Sequence, residues 1–503
     1  MTGDLRAVRE VWALRGQART RADLLYLLYV VVLSVLVFAA PALRMSGTFL
    51  ARPDVLPALL HPLAPQVATS VSLAAAGAMV MLGALRGPAL LAPFFTATLA
   101  ASGIRRRDVL WRPLARALLV PGLSAVTVTV LIAVTLVSDG AATGEDAAWF
   151  VVAGAGTGLL LGAAWLAGEL FGAGGRRLLA GGLLAAAALC TVLPSAPGLG
   201  GVYPVGAARP MLWALLLLGI GIVTTAAGFT QLDRLRGSVL REHSERWASA
   251  TTIATTGDLA GAAGSFRTPP SAGRRLPAIG SRPLLLLYAQ RDAVAWLRSP
   301  ERLAVGAVVA LLAAAALAGS TLLTGPLAWG AVLLGATALW GAAGTLADGI
   351  RHGVHTLGAP TLFGQSAALQ VLLHSVAPAL LLSALAVLGG GAVHLTIGGG
   401  PGMLEAVLLP AALAPVMIAG RGRDAAKGPM PLSLSTPMPT PQGDMAVIPM
   451  LAWQADAILL AMVSGAVLAG LGRLGLPWLL GGAAVLTASM ALMARFRLRA
   501  LRR

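Results

Sequence analysis

The stretch LLYLLYVVVLSVLVFAAPAL, Leu24–Leu43, runs for twenty residues without a charge and follows five arginines, Arg6, Arg9, Arg15, Arg19 and Arg21. A helix of about 20 apolar residues covers the roughly 30 Å hydrocarbon core of a bilayer, so this segment reads as a membrane span entered from a basic side. It is longer than the apolar core of a signal peptide and no small-residue cleavage site follows it, so it reads as retained.

Eleven further stretches have the same character: Val67–Leu85, Leu114–Val137, Ala148–Phe171, Leu178–Leu193, Met211–Thr230, Leu303–Leu323, Ala328–Gly349, Leu369–Leu388, Met403–Gly420, Ala452–Leu471 and Pro477–Met493. Threading the chain through a membrane with its N-terminus in the cytoplasm leaves only Arg44, Arg52, Arg209 and Arg473 outside. The other 33 of the 37 Lys and Arg lie inside, as the positive-inside rule requires. Both termini are therefore expected on the cytoplasmic face of the cell inner membrane. Arg495, Arg497, Arg499, Arg502 and Arg503 close the chain as five arginines open it.

Composition agrees. At 503 residues, 57% hydrophobic and 11% charged, with a mean hydropathy of +0.81, the chain lacks the polar cover of a soluble globule. A net charge of +17 in a soluble domain would point to nucleic acid. Here the arginines sit beside spans, where anionic lipid headgroups attract them, and no nucleic-acid partner is expected. Cys190, the single cysteine, falls inside the fifth span, which excludes an internal disulfide and a thiolate metal cluster.

The expected fold is all-α, a polytopic protein of about 12 transmembrane helices in two six-helix halves with cytoplasmic interface helices. Residues 1–230 form the first half, 231–282 a cytoplasmic linker with a helical start and a flexible Ser/Thr/Ala/Gly middle, and 283–503 the second half. Two short matches suggest an internal repeat. Arg9-Glu-Val-Trp-Ala-Leu-Arg15 resembles Arg291-Asp-Ala-Val-Ala-Trp-Leu-Arg298, each shortly before the first span of its half. Both read as amphipathic helices in the headgroup layer, with Trp12 or Trp296 at the interface and Arg9, Arg15, Arg291 and Arg298 toward phosphates and solvent. The loops after the second span of each half, between Leu85 and Leu118 and between Leu346 and Leu380, also match in length and in their Gly, Pro and Phe content. Gly158, Gly162, Gly168 and Gly172 recur at spacings that suit close helix packing.

Chemistry-bearing residues are few. The single Lys427 stands outside any Gly-x-x-x-x-Gly-Lys-Ser/Thr phosphate loop, so no catalytic site and no bound cofactor are expected in this chain. His352 and His355, beside Asp348, could present ligands together on a helix, but the flanking glycines make the segment read as a solvated loop rather than a metal site. Glu169, His374 and Asp456 lie within spans. Each is expected either to pair inside the bundle or reach the headgroups, or to line a translocation path.

The layout resembles a permease of the type-2 ABC exporters, with six-span halves, an interface helix before each, and a cytoplasmic loop after the second span. The run Arg291 to Arg302 is similar to the basic, Pro-containing start of such halves, and Gly103-Ile-Arg-Arg-Arg-Asp-Val-Leu110 is similar to the loop. The resemblance implies a separate ATP-binding cassette ATPase, in two copies, that carries the ATP and presses on these loops. Arg105, Arg106, Arg107 and Asp108, with Asp348 and Arg351 in the second half, would be the contact. Membrane lipids are the other partner, and an apolar interior suggests an amphipathic or lipid-like substrate. A single chain holding both halves departs from the commoner six-span subunit. Gly344-Thr-Leu-Ala-Asp-Gly-Ile-Arg-His-Gly353 resembles instead a loop of the major facilitator transporters, which makes an ion-driven 12-span carrier the alternative. That family carries the loop most strongly after its second span, where this chain has Gly83-Ala-Leu-Arg-Gly-Pro. A non-transporting membrane scaffold is the third reading.

Overall fold

A computed structural model describes residues 21–100, 102–191, 197–207, 209–255, 259–266, 272–273, 275–280, 283–357, 364–397, 403–428, 430–436, 438–440 and 443–501. The expected interface helix containing Arg9, Trp12 and Arg15 lies outside the described residues. The protein is all-α, with twelve helices among the described residues long and apolar enough to cross a membrane. The β structure described is one two-residue antiparallel pair, Pro439–Thr440 with Gly443–Asp444. The chain divides into two compact units, Met1–Thr252 and Ile253–Arg503, each holding six of the twelve helices.

The first unit contains α1 (Leu25–Leu50), α2 (Ala64–Leu85), α3 (Arg106–Ser138), α4 (Gly144–Leu170), α5 (Ala173–Cys190), α6 (Pro210–Gln231) and the polar helix α7 (Gly237–Thr255). The second contains α8 (Leu284–Arg298), α9 (Pro300–Gly319), α10 (Gly325–Leu346), α11 (Asp348–His355), α12 (Ala367–Ile397), α13 (Met403–Ala425), α14 (Val447–Gly472) and α15 (Leu476–Ala500). Proline in the first helical turn starts α2, α6, α9, α10 and α15, where its missing N–H has no intrahelical partner to lose. Thr143 caps α4 by accepting the Asp146 N–H at 3.1 Å, and Glu145 and Asp146 complement the helix dipole.

Helix limits and span limits differ where arginines meet a helix end. The third span was expected from Leu114, yet α3 begins at Arg106, so Arg106, Arg107 and Asp108 stand on its first turn rather than in a loop. The linker's Ser/Thr/Ala run likewise continues α7 through Thr255. Buried Leu240, His243 and Ser244 dock that helix on the first unit.

The same packing scheme occurs within each unit. The third spanning helix packs on the fourth, the fourth on the sixth, and the second on the fifth: α3 on α4, α4 on α6 and α2 on α5, then α12 on α13, α13 on α15 and α10 on α14. The second helices, α2 and α10, are both 22 residues long. Near their ends, Gly83 abuts α4 at Trp165 to Glu169, and Gly344 abuts α13 at Arg421. Conversely, Gly168 of α4 leaves room for the Val80 backbone and Gly420 of α13 for the Trp340 ring. Each of these glycines is followed by a buried charge, Glu169 or Arg421. Gly154, Gly158 and Gly162 pack α4 against Thr129, Gly122 and Leu118 of α3, whereas Gly172 faces open space.

The units differ in two respects. Helix α9 packs on α10, α12 and α13, while its counterpart α1 has none of its apolar window buried and meets α3 through its Ala40–Leu50 half. One continuous core, from Ala310 through Trp340, Leu413 and Leu468 to Leu498, fills the second unit. The first has two separate clusters, one around Leu110, Leu166 and Leu240 at its arginine-rich end and one around Leu136, Phe150 and Tyr203 at the other.

Candidate functional site

At the arginine-rich end of the first unit, three segments close over the end of α4. The loop after α2 is pinned first: the Trp165 indole N–H donates to the Arg86 carbonyl at 2.7 Å, and the Arg86 guanidinium lies 4.1 Å above the Trp247 ring of α7. The Ser244 hydroxyl donates to the Leu91 carbonyl at 2.7 Å, fixing the loop to α7. The start of α3 is tied to the turn Leu232–Arg234. Arg106 donates to the Leu235 carbonyl, the Arg107 N–H donates to Asp233 at 3.0 Å, and the Arg107 guanidinium lies 3.8 Å from the same carboxylate and 3.9 Å from Asp108. Arg105 sits exposed just before the helix. The four residues expected to face a partner are thus partly committed to the chain's own sixth helix. Arg107 and Asp108 remain about half exposed.

Glu169 lies under this arrangement with its side chain fully enclosed. A Cβ on Gly87 would overlap its carboxyl group, so only glycine lets the loop pass there. His243 Nδ1 approaches Glu169 Oε1 at 3.9 Å, beyond hydrogen-bond range, and the Ala89 backbone N–H faces the carboxyl group. Burial, reinforced by Arg246 and opposed by Glu242, holds the His243 imidazole below its ordinary pKa. It is therefore neutral near pH 7, and the contact is not an ion pair. Glu169 is thus enclosed within the unit, against Gly87 and the neutral His243 imidazole.

The second unit carries a different set of buried groups. Asp292 of α8 meets His374 Nδ1 of α12 at 2.8 Å, both nearly inaccessible, and the Tyr288 ring packs edge-on against the imidazole at 4.7 Å. A Cβ on Gly349 of α11 would strike both partners, so α11 seals the pair. Burial pushes the Asp292 carboxyl above its ordinary value, with the His374 hydrogen bond opposing. Helix α8 is docked on protein rather than aligned freely with headgroups. The Trp296 indole donates to the Leu346 carbonyl at 3.1 Å, Arg298 donates to the Gly273 and Leu276 carbonyls at 3.4 and 3.2 Å, and Arg291 lies 5.7 Å from the Tyr288 ring.

Asp348 makes a two-pronged ion pair with Arg302, which also donates to the Gly344 carbonyl at 2.9 Å. Arg351 is half-buried on α11. His352 and His355 are exposed on the same helix, so the expected loop is helical, and no metal-binding cluster occurs among the described residues. Asp456 joins three cations: Lys427 at 2.6 Å, Arg423 at 2.9 Å and Arg497 at 3.5 Å. Lys427 also lies 3.8 Å from the Trp453 ring. Arg421 donates to the Trp340 carbonyl and its guanidinium stacks 3.8 Å above that ring.

Of the sequence-selected groups within spans, His374 and Asp456 are paired inside the second unit and Glu169 is enclosed in the first. Sequence reasoning did not single out Asp292, His243, Arg421 or Arg423. Their signal was a buried position on a helix face, which only the fold reveals. Comparison with family models, curated proteins and solved structures gives no match. The fold itself defines the class: an all-α polytopic membrane protein with twelve candidate spans.

Proposed function

We propose that this chain is the transmembrane permease subunit of an ABC-type exporter, moving a substrate across the cytoplasmic membrane with ATP hydrolysed by a separate ATPase. In this reading residues 1–230 and 283–503 are its two six-span halves, both termini are cytoplasmic, and two ATPase copies press on the arginine-rich ends. The chain itself hydrolyses no ATP. The observation that carries the reading is the interlocked end of the first unit. The loop after α2 is joined to α4 by Trp165 and to α7 by Arg86 and Ser244, and the start of α3 is joined by Arg106 to Leu235 in the turn between α6 and α7. A push on Arg107 or Asp108 would therefore move α3, α4 and α6 together rather than bend a loose loop.

The experiment is purification from native membranes in mild detergent, with and without Arg107→Gln/Asp108→Asn. Expected is nucleotide-stimulated ATPase activity that follows the chain and is uncoupled from transport in the variant. An ion-driven carrier would instead transport with no ATPase and be sensitive at Asp348 to Gly353.

A further inference from the structure

Between the two core clusters of the first unit lies a groove of about 900 Å³. Its floor is α4 from Thr157 to Leu170. One wall is α2 and α5, with Leu73, Ala76 and Leu183, and the other is α6, with Thr224, Ala227 and Gly228. Thirteen residues of helical rise make it about 20 Å long, two-thirds of the hydrocarbon thickness. The corresponding position of the second unit, among α10, α13, α14 and α15, is closed to about 10 Å³, because α14 packs there on both α13 and α15. Small side chains alone do not leave such a space, since both units are rich in them. The first unit is open where a unit with the same packing scheme is filled.

Polar groups mark the groove at two depths. The Thr225 hydroxyl oxygen is enclosed without a hydrogen-bond partner. At the arginine-rich mouth stand Gln231 and Arg234, and Arg234 is exposed with no ion-pair partner among the described residues. An apolar trough of this volume with a free cation at one end suits an amphiphile whose charge is negative and whose body is a hydrocarbon chain.

We infer that the groove between α5 and α6 is a binding site for an anionic phospholipid of the bilayer, its acyl chain along α4 from Leu170 toward Thr157 and its headgroup phosphate at Arg234. Binding here is independent of whether the chain transports anything, so the readout is occupancy.

The full chain is reconstituted in vesicles of equal parts phosphatidylglycerol and phosphatidylcholine, re-extracted in mild detergent, and its retained lipid counted by native mass spectrometry. The wild type is expected to retain the anionic lipid at least tenfold over the zwitterionic one. Filling the groove by Ala227→Trp or, from the floor, by Ala164→Phe should lower retention about tenfold. Val223→Trp, on the same helix but outside the groove and 66% exposed, should leave it unchanged. Arg234→Gln should keep a bound lipid but reduce the headgroup preference to within about twofold. Equal retention of both lipids by the wild type, or wild-type retention by both Ala227→Trp and Ala164→Phe, overturns the assignment of the chain site. An unchanged preference in Arg234→Gln overturns the assignment of the headgroup.

Discussion

Removing the Asp456 charge while keeping its shape, Asp456→Asn, should clearly destabilise the second unit. One carboxylate there neutralises part of three cations within 3.5 Å, so its loss leaves three positive charges facing each other, with the more distant Asp424 acting on Arg497. Each such pair is worth about 4 kcal/mol at 4 Å with an effective dielectric of about 20, before desolvation is subtracted. Breaking a fully buried pair typically costs about 3–5 kcal/mol. Arg423 and Lys427 are 9% exposed but Asp456 is 23% and Arg497 30% exposed, so solvent screening lowers the expectation to about 2–3 kcal/mol. Arg497→Gln removes a cation from a cluster with excess positive charge and should cost under about 1 kcal/mol. The double variant Asp456→Asn/Arg423→Gln should lose less than the two single losses combined, because the second change relieves repulsion created by the first. Denaturant unfolding in detergent micelles, followed by Trp fluorescence, measures the wild type, the single variants Asp456→Asn, Arg423→Gln and Arg497→Gln, and the double variant. An Asp456→Asn variant within about 0.5 kcal/mol of wild type, or an Arg497→Gln loss exceeding it, would refute the charge reasoning.

Two further expectations concern titrating groups. With its pKa lowered in the folded state, His243 binds fewer protons folded than unfolded below about pH 6.5, so the stability it permits is present above that pH and lost as pH falls. Amide protection factors across Leu240 to Ala250, corrected for the intrinsic pH dependence of exchange, should fall on acidification, and His243→Gln should remove that fall; an equal fall in the variant counts against it. For Asp292 the sign is opposite: a raised carboxyl favours the folded state where it stays protonated and destabilises it as pH rises through its folded value. Asp292→Ala should cost about 1–3 kcal/mol by leaving the enclosed His374 without its partner, and should free α8 to limited proteolysis. A protease pattern unchanged in that variant would show that the pair does not hold the helix.

Hydropathy and arginine placement made the twelve spans and their all-α class legible, because the cost of burying an unpaired backbone in lipid leaves few alternatives. The helix ends were less legible. A hydropathy window stops at Leu114 because Arg106, Arg107 and Arg112 do not belong in lipid, whereas helical hydrogen bonding tolerates them and continues to Arg106. Gly349 and Gly353 read as loop signals around His352, yet Gly349 stands in a helix where no side chain fits over Asp292 and His374. The charged clusters were only half visible. His374 and Asp456 were conspicuous as polar groups among apolar neighbours, but their partners lie 82 and 29 to 41 residues away in sequence. Arg423, Lys427 and Arg497 had been absorbed into the count of inside charges, a rule that assigns sides and not partners.

If ATP on a separate subunit drives this chain, as proposed, transport in vesicles depends on ATP and not on an ion gradient. Inside-out vesicles from membranes containing the chain are treated with ionophores that dissipate every ion gradient, and uptake of a fluorescent alkyl amphiphile is followed with and without ATP. Uptake should require ATP hydrolysis, survive the ionophores and be lost in Arg107→Gln/Asp108→Asn. Uptake that proceeds without ATP and collapses with the gradient would contradict it and assign the chain to ion-driven carriers.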